Sequence, residues 1–527
     1  MSSRGSTPAP DDTRATVAAP APLADAPSPD PLDELGAVLT AQGLLETSRG
    51  LVAARAVPAG PFDDAPALAW AQSGLMWLTG QPRRAPLAPG APVLGRAVAA
   101  ARLFASLAGQ MGHAVVPDVP SLLGGRAALM GLRRAGRTSA NGSCRLLRTA
   151  DDWIAVNLAR PADVEAIDAL VGVLGQDVGA GTSPACPDPR AQPGAQVTDQ
   201  AWQVLDAAVR RLPAGEVADM AHLLAIPASV LRTGRRPSPV RRVAVPGARP
   251  GGPVGSGHGG PLVVDLSAMW AGPLCARLLG QVGMRVIKVE SARRPDGARQ
   301  GDPDFYDWLH EDQRSVALDF ESESGRARLH RLVDEADVVI ESSRPRALEQ
   351  LGLDAARAVA VQPGKVWLSI TGYGRGDGVA GRGAQPVSFG DDAAVGGGLV
   401  AWERSGAAAS PVFCGDAIAD PLTGLFAALA VVASLARGGG SLLDVPLRDV
   451  SAWVADSPSA PRGHRPPPWQ VTGSDEDGWM VAQAGRSQRV LPPRAPWVDG
   501  AGHEVRPRRA PSSGAHTQAV LEELGPR

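Results

Sequence analysis

Short apolar runs, each bounded by turn-forming or charged residues, recur along the second half of the chain: LVVDLS (262–267), RVIKVE (285–290), SVALDF (315–320), DVVIES (337–342), VWLSIT (366–371) and SLLDVPL (441–447). Runs of this length and composition predict buried strands. Between them, the spacing of apolar positions predicts helices over 273–283, 323–335, 346–351 and 421–437. Strands alternating with helices imply an α/β fold with a Rossmann-like, doubly wound, mostly parallel sheet. Such sheets receive ligands at the carboxyl ends of their strands, where helix N-termini offer free N–H groups.

The first half carries a different pattern. Residues 31–245 read as a mostly helical region, with segments such as VLGRAVAAARLFASLAG and one strand candidate at 151–159. Residues 1–30 are rich in Ala, Pro, Ser and Asp and are expected to be disordered. A Gly/Pro linker is expected over 246–260, the Rossmann-like domain over 261–455, and a loop-rich segment over 456–527 with a strand candidate at 479–483 and a closing helix at 516–525. GSGHGG in the linker is not a dinucleotide fingerprint, because it precedes a strand instead of following one. Two short stretches echo each other between the halves: Ser73-Gly74-Leu75 aligns with Gly397-Gly398-Leu399, and DDWIAV (151–156) with DGWMVA (477–482). That register puts Gly95 where the second copy has Asp420, so the first half reads as a degenerate copy.

Composition narrows the function classes. The net charge of −2 argues against nucleic acid as the main partner. The four cysteines have no CxxC spacing and the histidines no HxxxH or HExxH pairing, so no metal site is expected. No apolar run of membrane-spanning length occurs and the N-terminus has no compact signal core, so a cytoplasmic protein with no membrane partner is expected. Lysine occurs only at Lys288 and Lys365, which makes Lys288, near a strand end, a conspicuous position.

Asp420 heads DPLTGLFAALAVVASLAR. With Pro421 after it, it reads as a helix N-cap. The same geometry would hold an ionised carboxylate rigidly enough to serve as a nucleophile. Gly396, Gly397 and Gly398 read either as a helix end or as a mobile loop whose N–H groups face a reacting carbonyl. Asp391, Asp392 and Asp416 are further acids near this region, and Trp270-Ala271-Gly272-Pro273 starts a helix after the first strand.

Taken in order, VVDLSAMWAGPLCARLLGQVGMRVIKVE, RSVALDF, GRARLHRLVDEADVVIESSRPRALEQLGL, WLSITGYG, GGGL and DAIADPLTGLFAALA resemble the class III CoA-transferase (CaiB/BaiF) family, which includes formyl-CoA transferase. The resemblance implies catalytic roles for Asp420 and for Gly396, Gly397 and Gly398. It implies CoA contacts at Trp270 and Ala271, at Leu318, Asp319, Phe320 and Glu321, and at Ser342, Ser343 and Arg344. It further implies CoA transfer from an acyl-CoA to a small carboxylic acid through an aspartyl-CoA thioester, with CoA as substrate, no permanently bound cofactor, and two chains that interlock as a homodimer. Ser291 and Gln350 depart from the family pattern. An α-methylacyl-CoA racemase-like isomerase shares this fold, but SFGDDAAV (388–395) lacks the histidine such enzymes use. A catalytically inactive acyl-CoA-binding subunit is the third reading.

Overall fold

The computed structural model describes residues 30–46, 49–58, 65–174, 199–231, 237–252, 260–343, 345–375, 386–405, 408–456, 469–498 and 503–525. The predicted N-terminal tail up to residue 29 and linker residues 253–259 lie outside them.

Seven strands form the main sheet: β1 (Arg241–Val243), β2 (Leu262–Asp265), β3 (Arg285–Ser291), β4 (Arg314–Leu318), β5 (Val338–Glu341), β6 (Val366–Thr371) and β7 (Ser441–Pro446). Their spatial order is β1-β7-β6-β5-β2-β3-β4, parallel throughout except for β1 against β7. All six apolar runs are strands here, because burial on both faces makes a parallel strand a continuous apolar word. From β2 the chain winds outward through β3 and β4, then crosses to the far side of β2 to form β5. The strand order therefore reverses between β2 and β5, which leaves a crevice beyond their carboxyl ends.

The helices include α1 (Pro66–Gln72), α2 (Val93–Gln110), α3 (Val119–Leu129), α4 (Ala271–Gln281), α5 (Pro303–His310), α6 (Gly390–Gly396), α7 (Ala419–Leu435) and α8 (Leu447–Ala455). Helix α7 is apolar all round and buried along its whole length apart from Asp420. Such a helix belongs at a centre, and it packs on α2, α4 and α8. A single apolar core runs from Leu32 and Phe104 in the first half to Leu422, Phe426 and Val481 in the second. The halves are thus one packed body.

The first half is mostly helical, and its strand candidate at 151–159 is the middle strand of a three-stranded antiparallel sheet of Cys144–Arg148, Trp153–Asn157 and Ala228–Val230. After 456, the strand candidate at 479–483 lies between Trp469–Ser474 and Arg486–Arg489 in a second such sheet, and the closing helix spans Thr517–Glu523. The strands that the pattern did not mark are short, and those at 469–474 and 486–489 are largely exposed, so their apolar signal is faint. β1 also lies before the expected linker. Its sequence, Arg-Arg-Val, has no apolar pattern, and ion pairs from Arg241 tie it to Asp444 on β7 and to Asp449 on the helix that follows β7.

The two small sheets are used crosswise. α6 of the second half packs on strands 153–157 and 228–230 of the first, while α1 of the first half packs on strands 478–483 and 486–489 of the second. The backbone N–H of Ala67 donates to Gln483 Oε1 at 3.0 Å across that second contact.

The approach of α7 to α4 depends on a glycine. A Cβ at Gly424 would stand 2.7 Å from the Ala271 carbonyl oxygen and 3.0 Å from Leu274 Cβ. Gly424→Val is expected to cost about 1–3 kcal/mol through overpacking, read as a lower urea midpoint with an unchanged slope.

Candidate active site

Asp420 is the second residue of α7, not its N-cap. Ile418 occupies the cap position and makes no side-chain cap bond. The capping role that the sequence suggested for Asp420 is therefore absent. Among the described residues, none hydrogen-bonds to the Asp420 carboxylate, and the residue is half-buried. Gly390, the first residue of α6, is a close neighbour, and a Cβ there would lie 2.5 Å from Asp420 Oδ2.

The turn before Asp420 is strained. Ala417 has φ of 40°, a left-handed conformation uncommon outside glycine and asparagine. Asp391 holds it, with Oδ1 accepting the Ala417 N–H at 3.0 Å. Asp391 Oδ2 accepts from Asn141 Nδ2 at 3.1 Å. Its neighbour Asp392 accepts from Asn157 Nδ2 at 3.1 Å, Ser388 Oγ at 2.6 Å and the Phe389 N–H at 2.9 Å. Both asparagines come from the small sheet of the first half and the loop leading into it, so that half builds part of the wall.

Asp391, Asp392, Asp416 and Asp420 thus crowd one helix start, and one guanidinium answers them. Arg126, on α3, donates from Nη1 to both oxygens of Asp416 at 3.0 Å. Its guanidinium carbon lies 5.3 Å from the centroid of the Trp270 ring and 5.8 Å from that of Phe305. Burial pushes the Asp420 carboxyl up to about 8, with Arg126 opposing the rise and Asp391, Asp392 and Asp416 adding to it. Burial also drives Asp391 up to about 7 and Asp392 to about 6.

The residues expected to contact CoA fall into two groups. Trp270 and Ala271 follow β2, and Ser342 and Ser343 follow β5, so both pairs meet at the crevice where strand order reverses. The Ala268 N–H donates to Ser342 Oγ at 3.2 Å across it. Leu318, Asp319, Phe320 and Glu321 follow the edge strand β4, roughly 10 Å away at two strand spacings. There Leu318 is buried in the core, while Asp319 and Glu321 are paired with Arg293. Arg344 lies outside the described residues.

A buried polar network shapes the loop that carries Trp270. Lys288 pairs with Asp265 at 3.5 Å and Asp296 at 3.1 Å and donates to the Ser267 carbonyl. Asp296 in turn accepts the N–H of Met269 at 3.0 Å, which pins that residue at a φ of 73°. Burial alone would lower the Lys288 pKa, but the two aspartates hold it above its ordinary value. This lysine therefore works in the framework and not as a ligand for phosphate.

Of the two readings of the glycine triplet, this conformation shows the helix end. Gly396 ends α6, and the N–H groups of Gly397 and Gly398 donate to the carbonyls of Ala393 at 2.9 Å and Val395 at 2.8 Å. Gly397 lies against α8, where a Cβ would come within 2.6 Å of the Ala452 nitrogen. These glycines close a helix and pack tightly, about 9 Å along α6 from Gly390, so in this conformation they are neither a free loop nor oxyanion donors.

Sequence reasoning missed Arg126, Asn141 and Asn157. The arginine did leave a mark, as the one charge in the otherwise apolar segment VPSLLGGRAAL. The asparagines left none.

Residues 259–484 match the model for CoA-transferase family III. A succinyl-CoA–D-citramalate CoA-transferase from Chloroflexus aurantiacus is 28% identical over 44% of this chain and 56% of its own length. A succinate–glutarate CoA-transferase from Agrobacterium fabrum is 31% identical over 36% of this chain and 51% of its own. The chain thus spans about half the length of the curated relatives it matches. A solved CaiB/BaiF family protein from Brucella suis aligns over 52% of this chain and 100% of its own at 20% identity, with a TM-score of 0.41.

Lys288→Met leaves Asp265 and Asp296 buried without their cation. Breaking such a cluster is expected to cost about 3–5 kcal/mol, measurable as a lower urea midpoint.

Proposed function

We propose that the protein transfers CoA from an acyl-CoA to a carboxylic acid, with Asp420 as nucleophile, a reading supported by the match of residues 259–484 to the model for CoA-transferase family III. The observation that carries this reading is the bare Asp420 carboxylate, held at a helix start and uncapped by any described residue. A carboxylate meant only to end a helix would be spent on backbone N–H groups. The helix dipole and Arg126 favour its ionised, attacking form.

The steps balance without a redox partner. Asp420 attacks the thioester carbonyl, the C–S bond breaks, and CoA thiolate leaves a mixed anhydride. The thiolate then attacks the Asp420 carboxyl carbon and releases the donor acid, giving an aspartyl-CoA thioester. The acceptor carboxylate attacks that thioester and frees the thiolate again. The thiolate finally takes the new acyl group from the second anhydride and restores Asp420. Each step moves an anion onto a carbonyl, so a wall that excludes water and a nearby cation serve every one.

CoA itself would lie along the crevice between β2 and β5, beside Trp270, Ala271, Ser342 and Ser343. The two named relatives carry substrates that are dicarboxylic acids or their CoA thioesters, and a dicarboxylic substrate is our reading here as well. The crosswise use of the small sheets supports taking the first half as a degenerate copy that serves as the second half's partner within one chain.

Asp420→Asn is expected to reduce CoA exchange at least ~10³-fold. Hydroxylamine trapping after incubation with an acyl-CoA should place the adduct on Asp420 in the parent protein. Loss of an α-proton with no adduct would point to an isomerase, and tight CoA binding with neither to an inactive binding subunit.

Because Asp420 must be ionised and its carboxyl titrates at about 8, kcat/KM should climb as pH rises through that value. Asp391→Asn removes one neighbouring negative charge, so the ascending limb should move down by about half a unit to one unit.

A further inference from the structure

Arg126 is only partly spent. Nη1 is engaged by Asp416, while Nε and Nη2 have no hydrogen-bond acceptor among the described residues, and the side chain keeps 18% of its surface exposed. The remaining donor edge is rigid, because the guanidinium lies against the rings of Trp270 and Phe305 and its other end is clamped by a fully buried carboxylate. The indole N–H of Trp270, itself buried, also lacks a partner among the described residues. An open guanidinium edge beside an orphaned N–H donor suits a carboxylate.

The surrounding charge sharpens the point. Asp391 and Asp392 on α6 and Asp416 in the turn before α7 all act on Asp420 as neighbouring negative charges, and Arg126 on α3 is the cation acting most strongly on it. An acyl chain with a second negative charge would be repelled by these acids unless a cation received it. Arg126 is tied to Asp416 and not to Asp420, so it can receive that charge without covering the nucleophile.

We propose that Arg126 is the specificity-determining residue of the acyl site, and that its free edge binds the distal, non-reacting carboxylate of a dicarboxylic acyl group. This rests on the transferase reading given above. It also assigns a role to the first half of the chain: that half brings the group that reads the substrate, and the second half brings the group that attacks it.

Succinyl-CoA and butyryl-CoA test this, since both carry four-carbon acyl groups and only the first has the distal charge. Initial rates of hydroxylamine-trapped adduct formation at Asp420 would be measured with the full-length protein, Arg126→Gln and Arg126→Lys. The expected result is that Arg126→Gln lowers the ratio of kcat/KM for succinyl-CoA over butyryl-CoA at least tenfold, chiefly by raising KM for succinyl-CoA. Arg126→Lys should recover part of the ratio, because a point charge lacks the fork. A parallel fall for both thioesters would mark Arg126 as merely structural and overturn the proposal, as would an unchanged ratio. If the parent protein forms no Asp420 adduct with either thioester, the transferase reading itself falls and takes this one with it.

Discussion

The pair between Arg126 and Asp416 is the contact on which the rest of the site depends. Taking carboxylates out of water is costly, and this protein gathers four around the start of one helix. Arg126 lets the cluster exist without being neutralised outright. It binds the buried Asp416 directly and acts on Asp391 and Asp420 through space. The nucleophile candidate therefore feels a cation without being occupied by it. A direct salt bridge to Asp420 would have stabilised the carboxylate and removed its reactivity in one stroke.

The same cluster also does mechanical work. Asp391 holds Ala417 in a left-handed turn, and Asp296 does the same for Met269 on the opposite side of the crevice. Each strained residue comes shortly before a group placed in the site, Asp420 in one case and Trp270 in the other. Strain of this kind persists only where surrounding contacts over-determine it. The Lys288 network supplies them on one side, and Asn141, with the first-half sheet that α6 packs on, supplies them on the other.

The main sheet was legible in the sequence because parallel strands are apolar on both faces, and RVIKVE or VWLSIT cannot be read as anything exposed. Asp420 was legible too, since Asp-Pro before a long apolar helix marks a start. Its position was misread by a residue or two. The chain enters α7 through a distorted turn, and Ile418 takes the cap place that local propensity would give to aspartate. The glycine triplet stayed ambiguous for a related reason. Glycine is needed both for mobile loops and for close packing, and only the nearness of Ala452 and Arg448 on α8 shows which need applies.

What the sequence determined by itself was everything carried by short-range pattern: the order of strands and helices along the chain, the doubly wound, mostly parallel sheet they imply, and the carboxylate at a helix start. Tertiary structure alone decided what surrounds that carboxylate. Arg126 and Asp416 are separated by 290 positions and Asn157 and Asp392 by 235. No local propensity links residues so far apart. They meet because one apolar core folds the two halves over each other, and the polar groups left at that seam must find partners there or stay unpaired.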